Sequence, residues 1–263
     1  MVGLAVAAGA LATAASAADM PVPAAPAYTP PVYRPVIYDW TGIYGGTHVG
    51  AGLLEDQVTT TTTTLLEPSG TQTKLSPFSV VGGAQVGFNY QIQQVVIGAE
   101  GTFTWSNISG TETMPALVAG VSEASTSTPR WYATATGKFG FAANDFLFYA
   151  KGGAAWMSAN YTQAVAAGGG NVSSQTLSDT RSGFTVGGGM EFGMTENLSL
   201  RVEYDYLNFG TKNYNFNSLT VTPVGGVNTP LTLPVSIRSS TSLITAGINY
   251  RFNWGGGGAV VTR

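Results

Sequence analysis

At 263 residues the chain is long enough for one or two domains, yet only 10% of it is charged while 44% is hydrophobic, against about 25% charged in an average soluble domain. A net charge of -3 supplies no basic footprint of the kind nucleic-acid binders carry. The lack of cysteine excludes a disulfide framework, a thiol nucleophile and a cysteine-ligated metal.

The chain opens on a small apolar run, Val2 to Ala15, followed by Ala15-Ser16-Ala17. The run is too short for a membrane-spanning helix. Ala15 and Ala17 fit the A-x-A pattern of a signal-peptidase site, so residues 1–17 read as a secretory signal, although the usual basic start is missing. Residues 18–37 are rich in Pro and Ala, with Pro21, Pro23, Pro26, Pro30, Pro31 and Pro35. So many fixed φ angles and missing donors forbid helix or central strand, and the segment reads as an extended linker.

From Tyr38 the pattern is period two. Apolar residues alternate with small or polar ones in eight blocks: 38–52, 78–90, 95–107, 129–141, 146–158, 181–194, 198–210 and 238–252. Each is long enough for a transmembrane strand, which needs roughly 9–11 residues. The connections alternate long and short. The long ones are 53–77, 108–128, 159–180 and 211–237; the short ones are 91–94, 142–145 and 195–197. Short periplasmic turns and long extracellular loops are the habit of outer-membrane barrels. The expectation is therefore an all-β, eight-stranded antiparallel up-and-down transmembrane barrel over 38–254. A Gly-rich tail, 255–263, follows it, and both chain ends lie on the periplasmic side.

Alternation assigns the faces. The inward face is expected to carry a polar network of Glu100, Arg130, Lys138, Lys151, Glu191, Arg201, Glu203, Asp205 and Arg251. The outward face is expected to carry two aromatic girdles. Phe88, Tyr90, Phe139, Phe141, Phe146, Phe148, Phe192, Tyr250 and Phe252 form the one near the short turns. Trp105, Trp131, Trp156, Phe184 and Tyr206 form the one near the long loops. An eight-stranded barrel is just wide enough to be filled by its own side chains, so mixed charges in the lumen should pair.

Several segments resemble a known family. Asp39-Trp40-Thr41-Gly42-Ile43-Tyr44 is similar to the opening strand of the small outer-membrane barrels of alphaproteobacteria, the "porin family" of the OmpA-like membrane-domain superfamily. Ala99-Glu100-Gly101, Phe148-Tyr149-Ala150-Lys151-Gly152-Gly153, Gly187-Gly188-Gly189-Met190-Glu191, Leu200-Arg201-Val202-Glu203-Tyr204 and Gly247-Ile248-Asn249-Tyr250-Arg251-Phe252 continue the resemblance in order. It implies an abundant surface protein that supports envelope integrity and brings no catalytic residues. Outer-membrane lipids and lipopolysaccharide are the implied surroundings. Tyr250-Arg251-Phe252 resembles the terminal signal read by the barrel-assembly machinery, here followed by residues 253–263.

No cofactor, metal or catalytic site is expected. His48 is the one histidine, too few for the usual His/Cys metal sets, and no G-x-S-x-G turn accompanies it. The Gly clusters fit no phosphate-loop pattern. Two other functions stay open: a narrow porin-like channel for ions or small solutes, and a barrel enzyme acting on lipid through His48. Acids in the long connections could bridge divalent cations to lipopolysaccharide phosphates, but no spacing defines a site.

Overall fold

The computed structural model describes residues 38–62, 68–115, 121–167, 171–221 and 229–252; the expected signal with Ala15 and Ala17, the expected linker and the tail lie outside them. Ten antiparallel strands follow in chain order: β1 (Gly42–Thr60), β2 (Gln72–Leu75), β3 (Phe78–Ile92), β4 (Val95–Ser106), β5 (Gly110–Pro115), β6 (Val121–Ala143), β7 (Phe146–Ala167), β8 (Asn171–Gly193), β9 (Leu198–Val221) and β10 (Thr229–Phe252). Eight of them, all but β2 and β5, pair neighbour to neighbour. The ring closes between β1 and β10, in register from Ile43 opposite Phe252 to Thr60 opposite Val235. Closure leaves no free edge in the turn-end half of the ring.

One end of the ring carries the tight turns. Gln93 and Asn144 take left-handed backbone there, with φ of 56° and 53°, the conformation a short hairpin demands. This is the turn end; the opposite end is the loop end. At the turn end the strands start where the alternation begins, at Val95, Phe146 and Leu198.

The loop end departs from expectation. The stretches expected as loops are largely strand: β6 to β10 run 22 to 24 residues each, about 75 Å of chain at ~3.3 Å per residue. Beyond the middle of the wall the ring also changes character. The β8–β9 ladder ends at Phe184 opposite Asn208, although both strands continue. On the other side β2 extends β1 and β5 extends β6, and among the described residues no ladder joins β2 to β5. The loop end is thus two four-stranded sheets, β9-β10-β1-β2 and β5-β6-β7-β8, separated by two seams.

An apolar core lies between those sheets. Leu54, Val58, Leu75, Phe216, Leu219, Leu233, Val235 and Ile237 from one pack with Val121, Ala159, Tyr161, Val165 and Ala167 of the other in one buried cluster. Burying such side chains stabilises by about 1.5–3 kcal/mol each, which explains why the extension is ordered where a polar loop would not be. The inverted phase can be read along β10. Odd-numbered residues point inward throughout. From Leu231 to Leu243 the inward residues include Leu, Val and Ile. From Ile244 to Phe252 the apolar residues Ile244, Ala246, Ile248, Tyr250 and Phe252 point outward instead, with Thr245, Asn249 and Arg251 inside.

A second, smaller cluster sits at the turn end. Tyr38 and Trp40, just ahead of β1, pack with Val96, Ala142, Leu147 and Tyr149. Trp40 is wholly buried, and its backbone N–H is fixed by the Gln91 side chain at 2.7 Å.

Candidate functional site: the lumen and its two seals

Between the two apolar clusters the lumen is polar, and its chemistry converges on one carboxylate. Glu100, on β4, faces Lys138 on β6 at 3.2 Å, Lys151 on β7 at 3.3 Å and Arg201 on β9 at 2.8 Å. Glu203 takes Lys151 at 2.6 Å and Arg201 at 3.3 Å, and Asp205 takes Lys151 at 3.0 Å. The Lys138, Lys151, Arg201, Glu100 and Glu203 side chains are at most 1% exposed. Three carboxylates and three cations therefore form one cross-linked cluster. Desolvation alone would make each of these charges expensive, and the pairing is what makes them tolerable.

Two tyrosines complete it. Tyr44 donates to Glu100 at 2.7 Å and receives Lys138 at 2.9 Å; Tyr149 donates to Glu203 at 2.7 Å. Lys138 also lies over the Tyr149 ring, 4.3 Å from its centroid, a cation–π contact. The backbone makes room for this. A Cβ at Gly87 would collide with the Tyr44 ring, and one at Gly187 with the Asp205 carboxylate. The in-strand glycines here are spaces for lumen side chains, not phosphate loops.

The nine residues expected inside have different fates. Glu100, Lys138, Lys151, Arg201, Glu203 and Asp205 meet as described. Glu191 is buried, but its bonds are to neutral groups, the Ser199 hydroxyl and Asn249 Nδ2 at 2.9 Å. Arg251 belongs to the turn-end seal: its guanidinium lies 4.5 Å from the Tyr38 ring centroid and 5.1 Å from that of Trp40, and it donates to the Asp39 carbonyl. Arg130 is a correction. It is exposed, because a bulge in β6 between Pro129 and Trp131 leaves it unpaired against β7. One extra residue reverses the faces of the strand beyond it, so inward residues are odd-numbered before Arg130 and even-numbered after it.

The fourteen expected girdle aromatics point outward. Phe88, Tyr90, Trp105, Phe139, Phe141, Phe146, Phe148, Trp156, Phe184, Phe192, Tyr250 and Phe252 are exposed. Trp131 and Tyr206 are half-buried, Trp131 because it stacks on Phe103 with ring centroids 5.5 Å apart.

Three features were not placed by the sequence reading. His48 is an inward hydrogen-bonding residue, held by Gln85 at 2.7 Å and Thr104 at 3.0 Å, with Gln85 passing the network on to Asn249 at 2.7 Å. Both ring nitrogens are engaged by neutral partners. Inward parity on β1 was the signal for it. The second feature is the Trp40 seal, whose position ahead of the first strand carried no such signal. The third is Arg181, which donates to the Phe209, Gly210 and Ile237 carbonyls at 3.2, 2.7 and 3.1 Å and to Ser239 at 2.9 Å. Close by, buried Asp56 accepts from Ser127 at 2.5 Å, and burial pushes its carboxyl above the usual range despite the bonds from Ser127 and Ser239. No group of three or more His, Asp or Glu side chains able to hold a metal ion occurs among the described residues.

A ring of eight strands with an apolar outer band, a charged interior and aromatic rims is the construction expected of a membrane barrel, and family comparison agrees. The model of the outer membrane protein beta-barrel domain matches residues 4–223. The chain belongs to that family. Its relatives include the 31 kDa outer-membrane immunogenic protein of Brucella melitensis, 30% identical over 77% of this chain and 84% of the relative. The 22 kDa outer membrane protein of Rhizobium leguminosarum is 28% identical over 52% and 56%. Among solved structures, outer membrane protease OmpT from Escherichia coli aligns over 80% of this chain and 97% of its own, with a TM-score of 0.49 and 8% identity. Six strands of this outer-membrane barrel, β1 and β6 to β10, run 19 to 24 residues, far more than the roughly 9–11 a crossing needs.

Proposed function

We propose that this outer-membrane barrel is a structural and surface protein, not a conduit or an enzyme. In this reading its lumen is a permanent polar bolt, its turn end and both chain ends are periplasmic, and its loop-end sandwich stands outside the cell. Lipids of the outer leaflet, lipopolysaccharide included, are its immediate partners in the membrane, and the barrel-assembly machinery its partner in biogenesis. The observation that carries the reading is the burial of the Glu100 cluster between two apolar seals, Trp40 below and the inter-sheet core above. Ions cross a barrel through water, and a row of charges locked against one another offers neither space nor free ligands. The word "immunogenic" in the names of the Brucella relatives fits a molecule that presents ordered surface outside the cell.

The test is conductance. Purified barrel inserted in planar bilayers should give no discrete steps at 1 M KCl, while a general porin in the same bilayers does. Steady, reproducible single-channel steps from the wild-type barrel would overturn the filled-lumen reading and make it a narrow channel.

A further inference from the structure

The outward wall just beyond the apolar band carries a cleft that the lumen function does not use. Glu55, Asp56 and Gln57 of β1, Lys74 of β2 with Ser76 just after it, Arg238 and Ser240 of β10 and Tyr206 of β9 line a cavity of about 340 Å³. We propose that it binds the phosphorylated headgroup of an outer-leaflet lipid; this rests on the orientation given under Proposed function.

Three observations place that ligand. The first is charge. Arg238 stands opposite Gln57, and Gln57 stands opposite Lys74, so two cations flank one amide in a row across three strands. With strands ~4.8 Å apart, the two cationic side chains start about 10 Å apart and can close on one group. Neither makes an ion pair among the described residues, in contrast to Lys212, which is taken by Asp179 at 2.7 Å. Arg supplies the planar fork that fits phosphate oxygens, Lys a point charge, and the Gln57 amide is already oriented by its bond to Gln72 at 2.7 Å.

The second is height. Tyr206 stands opposite Ser242, Leu53 opposite both Ser242 and Phe78. Arg238 is four residues further along β10, about 13 Å along the strand. The cations therefore sit where headgroups begin, immediately above the aromatic rim.

The third is continuity. Directly below the cleft the wall is apolar, with Phe78 at 70% and Val80 at 65% exposure and Val49 and Ile244 beside them. A phosphate held by Arg238 and Lys74 would lay its acyl chains on these residues. A soluble phosphate compound would use the upper half of this surface only; an amphiphile uses both. Glu55, on the row below the cations, and Asp56, whose carboxylate is buried against Ser127, match the two cations in number, so Glu55 is the acid on the outward face, and it sets the one rival mechanism, a divalent cation bridging its carboxylate to the phosphate.

The test uses the full barrel refolded in detergent and titrated with bisphosphorylated lipid A or with enzymatically dephosphorylated lipid A, bound lipid being counted by native mass spectrometry. The wild type should prefer the phosphorylated lipid by about tenfold or more, the scale of one or two charge-assisted contacts. An R238Q/K74Q variant should lose that preference, and R130Q, outside the cleft, should keep it. Unchanged heat-shifted gel mobility shows that each variant still folds. Preference that survives in R238Q/K74Q overturns the site. Equal binding of both lipids by the wild type overturns phosphate recognition. Preference abolished by EDTA overturns direct contact in favour of a metal bridge through Glu55. None of these failures touches the filled-lumen reading, which is judged by conductance alone.

Discussion

Glu100 accepts from Tyr44, Lys138, Lys151 and Arg201 together, so it is the group on which the lumen's charge balance turns. Replacing it by Gln leaves three cations against Glu203 and Asp205 in a space that water does not reach. Removing one partner of a buried ion pair costs about 3–5 kcal/mol, and we expect E100Q to lose that much in urea unfolding followed by gel mobility. E191Q is the contrast. Its partners, Ser199 and Asn249, are neutral, so about 1–3 kcal/mol is expected. Equal losses would mean that the cluster is no more critical than any buried polar contact.

A different residue-scale effect operates at the seam between β8 and β9. Partial burial tends to raise the Asp179 carboxyl, but hydrogen bonds from Lys212 and Tyr214 and the lysine's charge outweigh it and hold the group below its ordinary value. A depressed carboxylate contributes stability that is present above its unfolded value, about 3.9, and lost as pH falls through its folded value. The pair is exposed and worth less than about 1 kcal/mol. Amide exchange in 211–216 should therefore accelerate modestly below pH 4 in the wild type, and D179N should show the faster exchange already at pH 6, with no further step on acidification. A step of equal size in D179N would assign the acid effect to another group.

At the scale of elements, the seam needs an explanation because two adjacent strands stop pairing midway. Gly210, with φ of +66°, and the register shift between Arg238 and Ser240 turn β9 out of the β8 ladder. Arg181 then satisfies the carbonyls of Phe209 and Gly210, which β8 no longer serves. Side chains continue where the ladder stops: Gln175 and Ser173 accept from the Ser218 and Thr220 N–H groups at 2.9 and 3.0 Å. R181M keeps the bulk and removes the donors, leaving the buried Phe209 and Ile237 carbonyls short of partners at about 1–3 kcal/mol apiece, and the part-buried Gly210 carbonyl with them. We expect protease cutting in 209–216 to rise in R181M while the heat-shifted barrel mobility is retained. Loss of that mobility would show that the sandwich and the barrel fold as one unit.

The same elements show what was legible in the sequence and what was not. The turn-end starts of β4, β7 and β9 could be read because lipid-facing apolar residues begin there and alternation has one meaning. The loop-end halves were taken for loops because the outward positions turn polar, as with Asn160 and Thr162 on β7, and the eye follows the outward face. The inward positions Tyr161 and Val165 carry the signal instead. Alternation persists while its hydrophobic phase inverts, because the solvent outside has changed from hydrocarbon to water and the inside from charge to apolar core. Arg130 failed for another reason: parity counted through Pro129 cannot see a bulge. Glu100 and Lys151 lie on strands without such a bulge. Lys138 on β6 and Arg201, Glu203 and Asp205 on β9 lie on the turn-end side of their strands' bulges, where counting from the turn end is sound. The β8–β9 seam had no sequence signal that residue types alone could supply.

At the scale of the molecule, the phase inversion seen along β7 and β10 marks where the surrounding solvent changes. Below it lies a barrel sealed by Trp40 and bolted by Glu100; above it, a sandwich with its own core. That division predicts which residues a reagent confined to the outside of the cell can reach. The chain has no cysteine, so a single introduced thiol is the only one present. Thr176 of β8 and Asn217 of β9 are exposed at the loop end, and Glu196 is exposed in a tight turn at the other. With T176C or N217C on intact cells, a membrane-impermeant maleimide should label to the extent seen after lysis. With E196C it should label only after lysis. The reverse pattern would put the sandwich in the periplasm, where a phosphorylated outer-leaflet lipid could not meet Arg238 and Lys74. Labelling of both ends on intact cells would instead require a path for the reagent through the outer membrane, and that would be decided by repeating E196C in cells carrying the barrel at low copy.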